Sequence, residues 1–452
     1  MSSTKLRVAI CGGGVGGLTL AVTLSQYPDI EVDIYERARQ FGEVGAGVGL
    51  WLRPFKVLRK LGPKLEQDLL SKTPIPYSEE YSTGMRYRKT DLDGGEDLFA
   101  VKCKGNLMQL HRADFQCALL DNVGANVKTH TSKRLKSYNQ PKSDTEPITL
   151  AFEDGTTATC DVLVGADGVR SVVRAHMMEA LAQDPSAVPA HDPEVYRSCI
   201  EPNFSGAVSY RTLIPADKVR AIDPNHRVFD GARTWVNRDI MTTTYPISMG
   251  KFVNFAGFTL NEKLMRTAHS ERYSQHVPNL YDGEWVRPVT AEEFTAPFRT
   301  MEKDIHTLLD CVENGNIWAV HVVKVLPTQV HGRVSLLGDA AHAMTPFLGS
   351  GAGQAVEDAY LLGQLLGDSR TTRSTVPRAL AAYDAVRCPF AAGIAKSSMD
   401  NGRLSAMQTD QHIPPSEWLP KVEKYQDWAW ETELDGDVER ALSSTALVGG
   451  LA

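Results

Sequence analysis

The sequence predicts an α/β fold in which a parallel-sheet domain, assembled from separate stretches of chain, carries a smaller sheet-rich domain and ends in a helical region. Three observations predict it. Residues 7–36 read as strand, tight glycine turn, helix and strand; 205–260 is a run of strand-like segments rich in β-branched and aromatic residues; from Val334 a second apolar strand leads through a glycine-rich loop into a helix. With 452 residues, 42% of them hydrophobic, the chain exceeds what one core needs, so two or three domains and a sizeable enclosed site are expected.

In chain order, Val8-Ala9-Ile10-Cys11 is the first strand, Gly12 to Gly17 the turn, Leu18 to Ser25 the helix and Glu31 to Tyr35 the second strand, one βαβ unit. Pro141 to Pro147 is polar and proline-flanked, and Gln183 to Pro193 holds three prolines, so both read as loops, the second as a domain crossing. Ser248-Met249-Gly250-Lys251 marks a hairpin between strands. Val334 to Leu337 is again strand-like, and the helix starting at Gly351 runs for about 16 residues. From Glu417 onward, Trp418, Trp428 and Trp430 among charged residues predict an amphipathic segment packing back onto the body, with Leu447 to Ala452 frayed.

Lys and Arg number 48 against 55 Asp and Glu, a net charge of -7 without long single-sign blocks. No basic footprint for nucleic acid or an anionic membrane is present, so the partner is expected to be a small molecule. No apolar run approaches the roughly 20 residues of a membrane span, and the first strand-like run begins too early for a secretory signal to precede it. A cytoplasmic monomer or homodimer is expected. The seven cysteines, at 11, 103, 117, 160, 199, 311 and 388, lack metal-knuckle or C-x-x-C spacing; they read as reduced and mostly buried, with no metal site.

Gly12-x-Gly14-x-x-Gly17 follows a strand and opens a helix, the context that makes the pattern a Rossmann-type dinucleotide fingerprint. The turn requires positive φ, a pyrophosphate needs bare backbone, and the helix must pack close to the strand while its N-terminus favours an anion. Glu36 ends the second strand, where a carboxylate accepts ribose hydroxyls and disfavours a 2'-phosphate, pointing to FAD or NAD. In the second unit, Asp339 is placed to accept from a ribityl hydroxyl, and the start of the helix at Gly351 to stabilise negative charge. Only one such fingerprint occurs, so any nicotinamide cosubstrate binds transiently.

Together these segments resemble the class A flavoprotein monooxygenases, the aromatic hydroxylases typified by para-hydroxybenzoate hydroxylase and salicylate hydroxylase. The resemblance rests on the fingerprint, on Asp161-Val-Leu-Val-Gly-Ala-Asp167-Gly168-Val-Arg170-Ser171 as the family's DG motif, and on Gly338-Asp339-Ala-Ala-His342-Ala-Met-Thr-Pro346, continuing through Gly349, Gly351, Gly353 and Gln354 to Glu357-Asp358, as its GD motif. His111-Arg112-Ala-Asp114-Phe115 matches the segment whose arginine meets the FAD phosphates, and Gly42-Glu-Val-Gly45-Ala46-Gly47-Val48 the loop approaching the flavin. The asparagine usual after the proline there is replaced by Phe55, following Pro54.

The resemblance implies FAD held by Gly12, Gly14, Gly17, Glu36, Arg37, Gly47, Arg112, Asp167, Asp339, Gly349, Gly351 and Ala352. Trp318-Ala-Val-His321 is most similar to the salicylate hydroxylase branch, which implies that His321 lines the substrate cavity, with Arg211, Tyr245 and Pro346 as companions. A guanidinium binds two oxygens of a carboxylate or phenolate at once, a tyrosine hydroxyl donates to a phenolate, and a neutral imidazole accepts a phenol's proton. The implied reaction consumes O2 and NADH or NADPH and hydroxylates a phenolic ring through a flavin C4a-hydroperoxide, with decarboxylation of a hydroxybenzoate preferred. Phenol hydroxylation without decarboxylation, dearomatising hydroxylation, a flavoprotein oxidase or epoxidase, and an inactive flavin-binding protein stay open. The implied division assigns 1–74, 104–190 and 305–400 to the FAD-binding domain, 75–103 and 191–304 to the substrate domain and 401–452 to the helical tail.

Overall fold

The computed structural model describes residues 4–42, 47–73, 75–90, 94–143, 145–186, 189–268, 280–409 and 413–447. Six strands form one sheet in the order Val330–His331, Val334–Leu336, Val162–Gly165, Leu6–Cys11, Ile30–Tyr35, Val127–His130, all parallel except the first pair. Its central strands are short apolar runs, Val162–Gly165 and Val334–Leu336 wholly buried, as a parallel sheet covered on both faces requires. Helix Val15–Leu24 covers one face and packs along helix Gly351–Gly367. Gly16 lies against Leu337 and Ala355 at one end of this contact, and Gly363 against Leu20 and Thr23 at the other. The two helices therefore run parallel, and both begin just past the carboxyl ends of sheet strands, where open α/β sheets bind ligands.

The second sheet has eight strands, in the order Val286–Thr290, Asn314–Val322, Asn203–Pro215, Phe252–Leu260, Ile240–Ile247, Arg233–Asn237, Tyr81–Lys89, Glu96–Lys104. Alternation gives it two working faces. One packs Ile317, Val253 and Phe255 on Phe294, Phe298, Ile305 and Leu308. The other packs Ala207, Met241, Phe258 and Val322 with Phe347 and Met399, which come from the parallel-sheet side of the molecule. The expected hairpin is present: Ser248 and Met249 both take positive φ, 51° and 57°, and the Gly250 N–H donates to the Ile247 carbonyl at 3.0 Å, the mirror-image turn whose twist suits paired strands.

The expected boundary at residue 305 shifts. Helix Lys303–Leu309 contributes Ile305, Leu308 and Leu309 to the core under the eight-stranded sheet, and Asn314–Val322 is an interior strand of that sheet. Its apolar residues lie on both faces because both faces of this strand are covered. The tail helices Trp418–Gln426, Trp428–Glu431 and Asp435–Leu447 fold back onto the body, burying Trp418 and Trp430; residues 448–452, expected to fray, lie outside the described residues. All seven cysteines are free, five of them buried, Cys388 half-buried and Cys117 exposed. No described helix is long and apolar enough to cross a membrane.

Candidate active site

The fingerprint glycines divide the work as their chemistry demands. Gly12 has φ 111°, and a Cβ there would overlap the Ala166 carbonyl; a Cβ at Gly17 would overlap the Gly12 carbonyl. Those two close the turn and seat the helix, whereas no described atom lies within 4 Å of a Cβ placed on Gly14. Helix Val15–Leu24 starts at Gly14 without a side-chain cap, leaving its first N–H groups for an anion. Glu36 stands beside the turn, accepting from Gly13 N–H and Ala38 N–H at 2.8 Å each, and Arg37 is exposed next to it.

The second turn has the same character. Gly349 is left-handed at φ 62°, Gly349 and Gly351 have no described atom within 4 Å of an added Cβ, and helix Gly351–Gly367, with Ala352 in its first turn, also lacks a side-chain cap. Asp339 is exposed at the start of the short helix Asp339–His342, and Pro346, which opens the next turn, is half-buried. Two uncapped helix starts pointing the same way give a positive site for an extended polyanion. Asp167 is placed differently from a free ligand contact: it accepts from the Ser171 hydroxyl and from Val172 and Val173 N–H at 2.7 and 3.2 Å, capping helix Val172–Gln183, and burial pushes its carboxyl up.

The face of the eight-stranded sheet turned toward these helices carries Arg211, Tyr245, Asn254 and Trp318. Arg211 donates to the Ser209 hydroxyl at 3.1 Å and lies 5.7 Å from the Trp318 ring centre. Burial pushes the Tyr245 hydroxyl up to about 12, against the pull of Arg211, so it remains a donor at neutral pH. Burial also lowers Arg211, and the Arg112 charge adds to that effect. Gly47 docks here: its N–H donates to Asn254 Oδ1 at 3.1 Å, and a Cβ would stand 2.7 Å from the Tyr245 oxygen. Strand Gly47–Leu50 pairs with Met108–His111, which leads directly into Arg112, so Gly47, Arg112, Arg211 and Tyr245 meet. Glu43 to Ala46 of the same expected loop lie outside the described residues.

His321 is not brought to this group. Trp318 shares a face with Arg211 and Val322 packs with Phe258 and Phe347, so the alternation of strand Asn314–Val322 turns His321 the opposite way. Its ring lies flat on Trp285, centroids 3.4 Å apart, with Arg170 3.7 Å above the other side of that indole. Nδ1 faces the Ala319 carbonyl at 2.9 Å, and burial lowers the ring to about 4, with Arg170 acting in the same direction. The expectation that His321 lines the substrate cavity beside Arg211 is thereby corrected.

Sequence reasoning also missed the support beneath the turns. Arg387, fully buried, donates to Asp358 Oδ1 at 2.7 Å, Glu357 Oε2 at 2.8 Å and Gln354 Oε1 at 2.6 Å. Asp358 accepts from the Gly338 N–H at 2.9 Å and pairs with His342 Nε2 at 2.6 Å; burial opposes its charge, but His342 and Arg387 outweigh that and hold it at about 2. Arg53 adds Glu357 and, from the tail, Asp437 at 2.7 Å. Buried Arg174 ties four carbonyls together, those of Val169, Cys199, Ile200 and Ala340, linking the two expected motifs. An acidic pair in an otherwise apolar helix was the available signal.

The comparisons with known proteins decide the family. Residues 5–398 match the family described as FAD binding domain. Salicylate hydroxylase of Pseudomonas putida is 33% identical over 448 residues, 96% of this chain and 94% of its own length. The chain belongs to the FAD-dependent aromatic monooxygenases of the salicylate hydroxylase family. A second member, 6-methylsalicylate 1-monooxygenase of Aspergillus terreus, is 33% identical over 441 residues, 96% of this chain and 91% of that one. The solved structure of a salicylate hydroxylase substrate complex superposes with a TM-score of 0.77 at 28% identity, covering 97% of this chain and 98% of that one. As in the rest of the family the cofactor is FAD, and the observed cradle fits it: Gly14 in the first turn and Gly349 and Gly351 in the second, where an added Cβ meets no described atom, two uncapped helix starts on one side, and Glu36 beside the first.

Proposed function

We propose that this flavoprotein hydroxylates an ortho-hydroxybenzoate at the carbon bearing the carboxylate, releasing carbon dioxide. The observation that carries this reading is the pairing of Arg211 with Tyr245 on the sheet face turned toward the Pro346–Gly351 turn. Bound FAD supplies the oxidation of NAD(P)H and the transfer of one oxygen atom from O2. That atom enters the ring, the other leaves as water, and loss of the carboxyl group as carbon dioxide restores aromaticity.

The chain supplies position and charge. Gly12, Gly14 and Gly17 hold the pyrophosphate, with Glu36 at the ribose and Arg37 and Arg112 at the phosphates. Asp339 and the backbone of Gly349, Gly351 and Ala352 face the rest of the cofactor, Gly47 borders the cavity, and Pro346 shapes its roof. Arg211 grips the substrate's carboxylate, or its phenolate, with two N–H groups, and favours the ionised ring that is the better nucleophile. Tyr245 donates to the phenolate oxygen and fixes the ring. Asp167 acts through its loop, which it ties to Ser171, the N-cap of helix Val172–Gln183, and to the first N–H groups of that helix. Trp318, Phe258 and Phe347 exclude water from the reacting face.

The test follows NADH and NADPH oxidation with a panel of hydroxybenzoates and carboxyl-free phenols, products being identified by mass. A hydroxybenzoate is expected to stimulate consumption and to yield a product that has gained oxygen and lost carbon dioxide; response to carboxyl-free phenols alone would overturn the decarboxylative reading. Arg211→Gln is expected to lower kcat/KM for the carboxylate substrate about 100-fold, the worth of a desolvated charge-assisted contact, with flavin content unchanged.

A further inference from the structure

Beside the short helix Asp339–His342, which contributes Ala341 and His342 to its lining, lies a small cavity of about 20 Å³. Lys324, Gln329 and His342 line it together with apolar groups from Val323, Leu326 and Ala395. These three polar side chains are only 6%, 1% and 8% exposed. In each, one buried nitrogen has no hydrogen-bond partner among the described residues: Lys324 Nζ, Gln329 Nε2 and His342 Nδ1. Unpaired buried polar groups are costly, an ammonium most of all, so three sharing one cavity indicate a common ligand. No carboxylate lines the cavity.

We propose that this cavity binds a single monatomic anion of the chloride class. The volume suits one occupant of about the size of water or a halide. Lys324 supplies the compensating charge, and burial, which otherwise disfavours its charged form, is offset once an anion stands beside it. His342 Nε2 donates to the Asp358 carboxylate at 2.6 Å, so Nδ1 turns its lone pair to the cavity, and binding of the anion takes up one proton there, giving with Lys324 and the Gln329 amide a set of three N–H donors. A water molecule would instead accept from Lys324 and Gln329 and donate to the unprotonated Nδ1, leaving the ammonium without a counter-charge; that is the outcome the bromide experiment separates from an anion. Through His342 the anion stands one side chain away from Asp358, which receives the Gly338 N–H at the entrance to the cofactor turn.

The direct test is the anomalous signal of crystals of the FAD-loaded enzyme grown in bromide. One bromine peak within hydrogen-bond reach of Lys324 Nζ, Gln329 Nε2 and His342 Nδ1 is expected; a peak without anomalous signal, which is water, or no peak, overturns the proposal. In solution, replacing gluconate with bromide at constant ionic strength is expected to raise the Tm of the FAD-loaded enzyme by about 1–3 °C at tenfold excess over the dissociation constant. Lys324→Met and Gln329→Leu are each expected to abolish that rise, and a wild-type Tm indifferent to bromide, or a variant that keeps the full rise, overturns the site. Flavin content, read separately by absorbance, distinguishes loss of the anion from loss of FAD.

Discussion

The two turns at Gly12–Gly17 and Pro346–Gly351 recognise through backbone, whereas the Arg211–Tyr245 wall recognises through side chains. The first turn is rigid because a Cβ at Gly12 or Gly17 would collide with backbone, and the second because a buried ion group, Arg387, Glu357, Asp358, Arg53 and His342, pins the strand end and helix beneath it. The wall stands on sheet positions whose backbone is spent on strand pairing, so only side chains reach the cavity. The cofactor is thus met by backbone and the substrate by side chains.

Substitutions at each region separate them. The largest effect is expected at the turn: Gly12→Val places a side chain on the Ala166 carbonyl at φ 111°, and FAD affinity should fall by about 3 kcal/mol or more, over 100-fold, as read by flavin retention on dilution. If Gly12→Val keeps its flavin, the backbone account of the turn fails. Next, Arg387→Met leaves Glu357 and Asp358 buried without their cation and should cost about 3–5 kcal/mol in denaturant unfolding, while Arg211→Gln should leave unfolding unchanged.

A smaller effect concerns pH. His321 falls from 6.5 unfolded to about 4 folded, so the folded state resists protonation. Its contribution is whole above pH 6.5 and is lost as pH falls from there through about 4, amounting to about 1–2 kcal/mol after solvent screening. In His321→Gln the pH slope of stability in that window should flatten; kcat/KM at pH 7.5 should stay within about threefold of wild type, because the ring faces away from the wall. A fall comparable to that of Arg211→Gln would return His321 to the cavity. Smallest of all, Met249→Gly relieves a left-handed residue at the far hairpin and should add about 0.5–1 kcal/mol of stability with no change in flavin content or turnover.

Most of the cofactor half was legible in the sequence because bare backbone leaves a mark there: a glycine is required where a Cβ collides, and the spacing of Gly12, Gly14 and Gly17 between a strand and a helix has few other uses. The eight-stranded sheet was legible as β-rich sequence but not in extent, since Asn314–Val322, covered on both faces, carries the same apolar pattern as a parallel strand. The placing of His321 followed the resemblance and overlooked a period-two rule that separates it from Trp318. The buried ion group went unread because its members are scattered from Arg53 to Asp437 and only the fold gathers them.

Arg53 and Asp437 are separated by 384 positions in the chain, yet a 2.7 Å ion pair joins them inside the protein. During synthesis the arginine, Glu357 and Arg387 emerge long before their last acidic neighbour. The assembly beneath the second turn therefore has a timing as well as a geometry: Arg53 and Arg387 are matched by Glu357 and Asp358 first, and Asp437 joins them last. Loop closure on that scale is slow relative to local collapse. The tail that looks like an appendage is thus the last piece of chain to reach the charges beneath the second turn.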